Sequence, residues 1–311
     1  MNARIGLLFP GQGSQFVGMG RDLADAYPEA RDTFAEADET LGFPLSRLCW
    51  DGPIEELTLT INAQPALLVH SVAVWRVLAR RRPTVGMAAG HSLGEFSAHV
   101  AAGSIEFSDA VRTVRRRGEL MFESGERRPG TMAALLGLDD ADAEAVCERA
   151  SDGEHVVVPA NYNAPGQIVI SGDGAAVERA GALAKEAGAK RVIPLNVSGA
   201  FHSPLMRVAE PGLRAQLSGI RVVDPAFPVV SNVTATGIEH GERARELLVE
   251  QLTSPVRWVA SMQTMLAAGL DGFLELGPGN VLAGLLRRVD RQAPVRSLGT
   301  AEELATYLSE G

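Results

Sequence analysis

The chain has 311 residues, of which 46% are hydrophobic and 22% are charged, and its formal net charge is −9. This composition is typical of a globular protein, and the acidic balance argues against nucleic-acid binding through a generally basic surface. The two cysteines fit no metal-ligand spacing and no apolar run approaches the length of a membrane span, so we expect a cytoplasmic protein with reduced thiols.

The N-terminal segment opens with an apolar run over residues 5–9 that ends at Pro-Gly, which predicts a strand. The glycine-rich sequence FPGQGSQ, residues 9–15, lacks the Lys-Ser/Thr of a phosphate-binding P-loop. It is therefore either a plain turn or a source of backbone N–H groups for an oxyanion. A long amphipathic pattern over 64–82 predicts a helix, and 85–89 predicts a second strand.

A glycine-framed serine follows that second strand, in the sequence GHSLG of residues 90–94. A nucleophile elbow requires a strand that ends in small residues, a tight turn and a helix that begins at the nucleophile, and all three patterns surround Ser92. In such an elbow the N–H of the next residue, Leu93, contributes to the oxyanion hole. The alternative is that Ser92 only caps the helix, and the local pattern leaves both interpretations open.

Three consecutive arginines lie on the next predicted helix, in the sequence SDAVRTVRRRGELMF, for which we expect Ser108 as the N-cap. At about 100° per residue, Arg117 falls among the apolar side chains, whereas Arg112 and Arg116 face the opposite side. A guanidinium on an apolar face is costly unless it is paired. Arg117 is therefore either half of a buried ion pair or a bidentate clamp for a substrate carboxylate.

The middle of the chain has a different order of elements, which are predicted at 131–138, 141–150, 155–160, 167–171, 175–187 and 191–197. The first, third, fourth and sixth have strand patterns, and the other two have helix patterns. This β-α-β-β-α-β order is the ferredoxin-like pattern. We therefore predict a small domain over 130–198, inserted into a discontinuous domain formed by 1–129 and 199–311.

A serine nucleophile requires a general base, because its hydroxyl group is inert at neutral pH. Among six histidines, His202 is the best placed, since it precedes a predicted helix with Ser203 at the N-cap and Pro204 at the first helical position. The other five lie beside the serine at a turn where neighbouring side chains diverge, within an amphipathic helix as a boundary residue of its apolar face, far along the elbow helix, or in polar loops. In that order they are His91, His70, His99, His155 and His240.

Two more strands are predicted at 227–231 and 272–276, and each is followed by a polar or glycine-rich turn. Together with the N-terminal strands, they are separated from one another by helical segments. Such an alternation indicates an α/β fold with a mostly parallel sheet.

Six motifs together resemble those of the malonyl-CoA:acyl carrier protein transacylases and of the related acyltransferase domains of polyketide synthases. The match covers nearly the whole chain in order. It implies an α/β-hydrolase-like large domain with an inserted ferredoxin-like small domain. The motifs are FPGQGSQ, GHSLGEFSAHVAAG, RRRG, ANYNAPGQIVISG, GAFHSPLM and ELGPGNVLAGL.

The resemblance also implies roles for individual residues. Ser92 is similar to the family's nucleophile and His202 to its base, and Arg117 resembles the residue that binds the free malonyl carboxylate. In the family the base is oriented by a main-chain carbonyl, here that of Gln251, rather than by an aspartate. The remaining matches are Gln12 and Leu93 for the oxyanion amides, and Asn161, Asn163, Gln167 and Phe201 as possible cleft residues.

The implied reaction is a ping-pong transfer of malonyl from malonyl-CoA, through acyl-Ser92, to the phosphopantetheine thiol of an acyl carrier protein. No metal or redox cofactor is expected, and no nucleic acid or membrane partner. Phe201 precedes His202 in a pattern that resembles the AFH pattern of malonyl-type polyketide acyltransferases, and this resemblance favours malonyl over a methyl-branched acyl group. We expect the protein to be a monomer. The acidic carrier protein is expected to dock on a local basic patch, for which the candidates are residues 80–82, 127–128 and 287–288. The alternative for each patch is a set of solvated surface charges.

Three alternatives accompany this hypothesis. A serine hydrolase or proofreading thioesterase would use the same elbow, although Arg117 and the lack of an acidic triad partner before His202 argue against it. A non-catalytic module that binds a carrier protein would not require Ser92 and His202. A transacylase for another carboxylated group, such as methylmalonyl, would keep the whole site. The carrier protein belongs to either fatty-acid or polyketide synthesis.

Overall fold

The computed structural model describes residues 3–310, which form two β-sheets with flanking helices. Within these residues there are ten strands, fourteen α-helices and one 3-10 helix, Pro204–Ala209. The strands are β1 (Arg4–Phe9), β2 (Thr84–Gly90), β3 (Thr131–Leu136), β4 (Val157–Ala164), β5 (Gln167–Gly172), β6 (Arg191–Pro194), β7 (Val229–Val230), β8 (Gly237–Ile238), β9 (Gly272–Leu276) and β10 (Val295–Leu298). The helices are α1 (Arg21–Ala26), α2 (Pro28–Leu41), α3 (Leu45–Asp51), α4 (Ile54–Thr58), α5 (Thr60–Ala79), α6 (Gly94–Ala101), α7 (Phe107–Arg127), α8 (Asp140–Ala150), α9 (Gly174–Glu186), α10 (Glu210–Ser218), α11 (Gly241–Glu250), α12 (Trp258–Ala267), α13 (Val281–Val289) and α14 (Ala301–Ser309).

The larger sheet has six strands in the order β10-β9-β1-β2-β7-β8. Neighbouring strands are parallel except for β7 and β8, which pair antiparallel. β1 is a continuous apolar run because both of its faces are covered: Leu7 and Phe9 pack into the largest core cluster, and Leu8 packs into a second cluster on the other face. The predicted α/β fold with a mostly parallel sheet is confirmed.

The register of the sheet brings two of the predicted motifs together. Phe9, the last residue of β1, lies opposite Gly90, the last residue of β2. Since the carboxyl ends of parallel strands meet at one edge, the FPGQGSQ and GHSLG segments leave the sheet side by side. The order of the strands in the sheet therefore places both segments where a single site can use them.

The smaller sheet has four antiparallel strands in the order β4-β5-β3-β6, with α8 and α9 packed against it. Its elements follow one another as β-α-β-β-α-β, so the predicted ferredoxin-like arrangement is confirmed. These elements lie between residues 131 and 194. The domain boundaries at 130 and 198 stay a prediction.

The two sheets are connected by hydrogen bonds between β4 and the segment that precedes α12. Tyr162 N–H donates to the Val256 carbonyl oxygen at 2.9 Å, and Val256 N–H donates to the Ala160 carbonyl oxygen at 2.8 Å. The next residue, Arg257, donates its N–H to the carbonyl oxygen of Asn232, which follows β7. The small sheet therefore reaches the same edge of the large sheet where the two glycine-rich segments meet.

Several predicted boundaries are wrong. α7 begins at Phe107 with Glu106 as its N-cap residue, so the predicted cap, Ser108, lies inside the first turn and accepts a hydrogen bond from Arg112. The strand predicted at 227–231 is only Val229–Val230, because the preceding Pro228 has no N–H for the ladder. The helix predicted at 64–82 begins earlier, at Thr60, and ends at Ala79.

His70 and the two cysteines occupy the interior. We predicted His70 as a boundary residue of the apolar face of an amphipathic helix, but it is fully buried, because α2, α6 and α7 all pack against α5. Cys49 and Cys147 are buried and free, and burial raises the pKa of each thiol to about 12. None of the helices formed by residues 3–310 is long and apolar enough to span a membrane.

Candidate active site

Ser92 lies in a strained turn between β2 and α6. Its φ is 50°, in the left-handed region that non-glycine residues rarely adopt. The chain packs so closely here that a Cβ on Gly90 would overlap the carbonyl group of Gly94, and a Cβ on Gly94 would overlap the carbonyl oxygen of Phe9. Both positions therefore require glycine, which places the start of α6 directly against the ends of β1 and β2.

Asn232 holds this turn from the loop that follows β7. Ser92 N–H donates to Asn232 Oδ1 at 2.7 Å, and Asn232 Nδ2 donates to the Gly90 carbonyl oxygen at 2.7 Å. Asn232 is fully buried, so water does not compete for these bonds. The two bonds fix the backbone on both sides of the nucleophile candidate and offset the strain at its φ.

His202 contacts the Ser92 hydroxyl group through its imidazole ring. Its Nε2 lies 2.7 Å from Ser92 Oγ, and its Nδ1 lies 2.9 Å from the main-chain oxygen of Gln251. His202 itself has a φ of 55°, and the next residue, Ser203, caps the 3-10 helix by accepting a hydrogen bond from Leu205 N–H. The helix start predicted from Ser203 and Pro204 is therefore present, and it fixes the position of the ring.

The two contacts of the His202 ring determine its tautomer. A main-chain carbonyl oxygen only accepts hydrogen bonds, so the proton resides on Nδ1 and the Nε2 lone pair faces the Ser92 hydroxyl group. Burial, followed by the positive charge of Arg117, lowers the pKa of His202 from 6.5 to about 3. At neutral pH the ring is therefore neutral and able to accept the serine proton.

The glycine-rich loop after β1 lies against the elbow. A Cβ on Gly11 would contact the His91 carbonyl oxygen at 2.5 Å, so the backbone of this loop passes directly beside the turn. Leu93 stands at the N-cap of α6, where the first N–H groups of a helix have no partner within the helix. Within residues 3–310, neither the Leu93 N–H nor the Gln12 N–H donates a hydrogen bond.

Arg117 projects from α7 into the interior and points at Ser92. Its Nη2 lies 3.1 Å from Ser92 Oγ and donates to Gln251 Oε1 at 2.8 Å, and its Nη1 donates to Gln64 Oε1 at 2.8 Å. The side chain is fully buried and stacks over the Phe96 ring. Burial lowers the pKa of Arg117 to about 10, so the group stays a cation at neutral pH.

The partners of Arg117 bear on the two interpretations of the buried arginine. Both of its amide acceptors, on Gln64 and Gln251, are neutral, so they orient the guanidinium without cancelling its charge. Glu95 acts on Arg117 through space: among the described residues the two groups influence each other's charge without a direct ion pair. The cation therefore keeps its charge for a group beside Ser92.

Glu95 is a buried acid in the first turn of α6, 1% exposed. Its Oε2 accepts hydrogen bonds from Asn232 N–H at 3.1 Å and from Gln251 Nε2 at 2.6 Å. Burial raises the pKa of Glu95 to about 7, while these bonds and the charge of Arg117 lower it. Sequence reasoning missed Glu95, although an acid among the apolar residues of the elbow helix was a signal for it. Gln64 and Asn232 gave no local signal.

The four predicted cleft residues occupy three different places in the structure. Asn163 Oδ1 lies 2.8 Å from the His91 Nε2, which places this part of β4 beside the elbow, and buried Asn161 pairs through its backbone with Val256. Gln167 instead hydrogen-bonds to Arg288 of α13 and to none of the residues around Ser92. The remaining cleft candidate, Phe201, is buried next to the His202 backbone.

The four histidines other than His91 and His202 lie outside the group around Ser92. His99 is buried on α6, and His70 is buried on α5. His155 and His240 lie near Asp152 and Asp224, respectively. No cluster of three or more His, Cys, Asp or Glu side chains suited to a metal ion occurs among residues 3–310.

A comparison with protein families matches residues 7–306 to the acyl transferase domain. The chain is 48% identical over 302 residues to the malonyl CoA-acyl carrier protein transacylase of Bacillus subtilis (strain 168), and the match covers 97% of this chain and 95% of the relative.

Solved structures give the same result. The chain superposes with a TM-score of 0.94 and 43% identity on an acyl carrier protein S-malonyltransferase from Vibrio cholerae, covering 98% of this chain and 100% of the other. A malonyl-transacylase in complex with its type II PKS acyl-carrier protein matches with a TM-score of 0.95 and 43% identity, covering 99% of this chain and 100% of the other.

Proposed function

This chain belongs to the acyl transferase family, and on that premise we propose that it transfers a malonyl group from malonyl-CoA to the phosphopantetheine thiol of an acyl carrier protein. The observation that carries the proposal is the distance of 3.1 Å between the Arg117 guanidinium and Ser92 Oγ. Only one carbon separates the thioester carbonyl of a malonyl group from its free carboxylate. A cation that binds this carboxylate must therefore lie within a few ångströms of the nucleophile, as Arg117 does.

In the first half-reaction, Ser92 Oγ attacks the thioester carbonyl carbon while His202 Nε2 takes the hydroxyl proton. The developing oxyanion lies near the main-chain N–H groups of Leu93 and Gln12. Collapse of the tetrahedral intermediate breaks the C–S bond, and the CoA thiolate leaves with the proton held by His202. The product is an ester between the malonyl group and Ser92.

Arg117 selects the acyl group in this step. Its guanidinium donates to the malonyl carboxylate in a charge-assisted, bidentate manner. An acyl group without a carboxylate leaves a buried cation unpaired, which penalises its binding. The bound carboxylate also offsets the positive charge that lowers the pKa of His202, so the correct substrate strengthens the base.

In the second half-reaction, the carrier protein's thiol attacks the acyl-Ser92 ester and gives its proton to His202, which returns it to Ser92 Oγ. The Gln251 main-chain oxygen holds the imidazole in the same tautomer for both steps, in the place that a triad aspartate occupies in many serine hydrolases. These steps require no metal or redox cofactor. We propose that the enzyme is a cytoplasmic monomer that acts on the carrier protein of fatty-acid or polyketide synthesis.

The test compares malonyl-, methylmalonyl- and acetyl-CoA as donors to a phosphopantetheinylated carrier protein and follows transfer and hydrolysis in the same reaction. We expect malonyl transfer to exceed both hydrolysis and the other two transfers. Intact-protein mass spectrometry should detect a malonyl adduct on the wild type and none on Ser92→Ala. Hydrolysis without transfer would support the thioesterase alternative. An adduct that persists in Ser92→Ala would exclude Ser92 as the nucleophile.

A further inference from the structure

Gln251 contacts both His202, the proposed base, and Arg117, the proposed carboxylate-binding residue. Its main-chain oxygen accepts from His202 Nδ1, while its side-chain Oε1 accepts from Arg117 Nη2 at 2.8 Å. Its Nε2 donates to the Ser92 main-chain oxygen at 3.1 Å and to Glu95 Oε2 at 2.6 Å. One fully buried residue therefore contacts the proposed nucleophile, base and carboxylate clamp at once.

The orientation of the Gln251 amide is decided by its neighbours. Arg117 only donates hydrogen bonds, whereas the Ser92 carbonyl oxygen accepts them, and Glu95 Oε2 already accepts one from the Asn232 N–H. A flipped amide would place its N–H groups against the guanidinium and its oxygen against the carboxylate, which replaces attractive contacts by repulsive ones. The alternating pattern of donors and acceptors allows one orientation.

Glu95 is the group that fixes this orientation from the elbow helix. It is 1% exposed, and its Oε2 is a shared acceptor for Gln251 Nε2 and for the N–H of Asn232. Asn232 in turn accepts a hydrogen bond from the Ser92 N–H. Glu95 Oε2 is therefore connected to the Ser92 turn through Asn232, and to Arg117 and His202 through Gln251. Because Glu95 makes no hydrogen bond to Arg117 and is connected to it by hydrogen bonds through Gln251, it aligns the guanidinium without occupying the position of a substrate carboxylate.

We propose that Glu95 is a positioning residue that holds the Gln251 amide in one orientation, so that Gln251 aligns both the His202 ring and the Arg117 guanidinium. The proposal rests on the acyl transfer proposed above. It follows that loss of the acceptor at residue 95 slows acyl transfer in general, because His202 is misaligned. The same loss slows malonyl transfer more than acetyl transfer, because Arg117 is misaligned too.

The test compares three substitutions at residue 95. Glu95→Gln keeps an acceptor oxygen where the Asn232 and Gln251 N–H groups meet, Glu95→Asp keeps the charge but draws the acceptor back, and Glu95→Met removes the acceptor. We expect Glu95→Gln to retain activity near that of the wild type. Glu95→Asp and Glu95→Met should lower kcat/KM for malonyl-CoA by about tenfold or more, and for acetyl-CoA by less.

A second buried acid provides the control for the loss of a buried carboxylate. Glu275 is fully buried, and it accepts hydrogen bonds from the Leu282 and Ala283 N–H groups at the start of α13. Glu275→Met should lower Tm without changing the ratio of malonyl to acetyl transfer. Melting curves of all variants separate a loss of folding from a loss of alignment, and Glu95→Asp keeps the test decisive if Glu95→Met does not fold.

A double-mutant cycle tests whether Glu95 acts through the amide. Gln251→Leu removes the side-chain amide and keeps the main-chain oxygen, so Glu95→Asp should have little further effect in that background. Additive effects, or equal losses of malonyl and acetyl transfer in Glu95→Asp, would overturn the proposal while leaving the proposed function intact. A wild type that fails to transfer malonyl in the same assay would overturn the proposed function, and this proposal with it.

Discussion

Arg117 separates this site from that of a general serine hydrolase. A hydrolase requires a nucleophile, a base and an oxyanion hole, and it gains nothing from a buried cation beside the nucleophile. Here the guanidinium is fully buried, is held by two neutral amide oxygens and lies 3.1 Å from Ser92 Oγ. This arrangement keeps a positive charge beside the Ser92 hydroxyl group, where the free carboxylate of a malonyl group would lie in the proposed reaction.

We therefore expect Arg117→Ala to lower kcat/KM for malonyl-CoA by about 100-fold or more, the effect of losing a charge-assisted bidentate contact. Acetyl transfer should change far less, because an acetyl group makes no contact with the guanidinium. The measurement is the rate of carrier-protein acylation with each donor. Arg116→Ala is the matched control, since its neighbouring guanidinium is bound to Glu119 and Glu123 on the exposed face of α7. Equal losses of malonyl and acetyl transfer would assign Arg117 a structural role.

The elbow that presents Ser92 depends on close contact between two elements that are distant in sequence. α6 begins against the end of β1, and the space between them accommodates no side chain at Gly94. Ser92 has a φ of 50°, and its N–H donates to the Asn232 side chain. The turn is therefore held in a conformation that the isolated peptide would rarely adopt. The packing of the helix against the strand therefore maintains the strained backbone at Ser92, the proposed nucleophile.

Gly94→Ala tests this packing. The added methyl group would overlap the Phe9 carbonyl oxygen, so we expect a loss of about 1–3 kcal/mol in the free energy of unfolding, with a loss of acyl-enzyme formation as α6 is displaced. Gly284→Ala in the interior of α13 is the control, because a Cβ there meets open space, and it should stabilise the protein by about 0.5–1 kcal/mol. Urea denaturation and mass spectrometry of the acyl-enzyme measure the two effects. An active, stable Gly94→Ala variant would show that the elbow tolerates movement of the helix.

The elements that sequence patterns predicted well are those with local signals. The strand-turn-helix around Ser92 and the capped start after His202 both lie within short windows, and phase alone placed Arg117 on the buried face of α7. The contacts that complete the site are not local. Asn232 is 140 positions from Ser92, and Gln64 is 53 positions from Arg117, so no periodicity or cap links them. Such pairs become visible only once the sheet order brings their loops together.

The site lies where the ends of the large sheet's strands meet the small sheet. The loop after β1, the elbow after β2 and the loop after β7 supply backbone and Asn232, while α7 and the end of α11 supply Arg117 and Gln251. β4 of the small sheet closes one side through Asn163 and the main-chain bonds to Val256. Because these segments come from both sheets, the alignment of the site depends on the global fold rather than on any one element.

Global stability itself should depend on pH through buried histidines. Burial lowers the pKa of His99 from 6.5 to about 4, so between these values the unfolded chain binds a proton that the folded chain does not, and stability falls as pH decreases. The contribution of neutral His99 to the free energy of unfolding is complete above pH 6.5. It falls by about 1.4 kcal/mol per pH unit between pH 6.5 and about 4. His99→Gln should therefore lose about 1.4 kcal/mol less stability than the wild type between pH 7.5 and pH 5.5, as measured by urea denaturation at both values. His240→Gln is the control, because this side chain is 81% exposed, and it should have the same pH dependence as the wild type. If His99→Gln also kept the wild-type pH dependence, His99 would gain its proton equally in the folded and unfolded states.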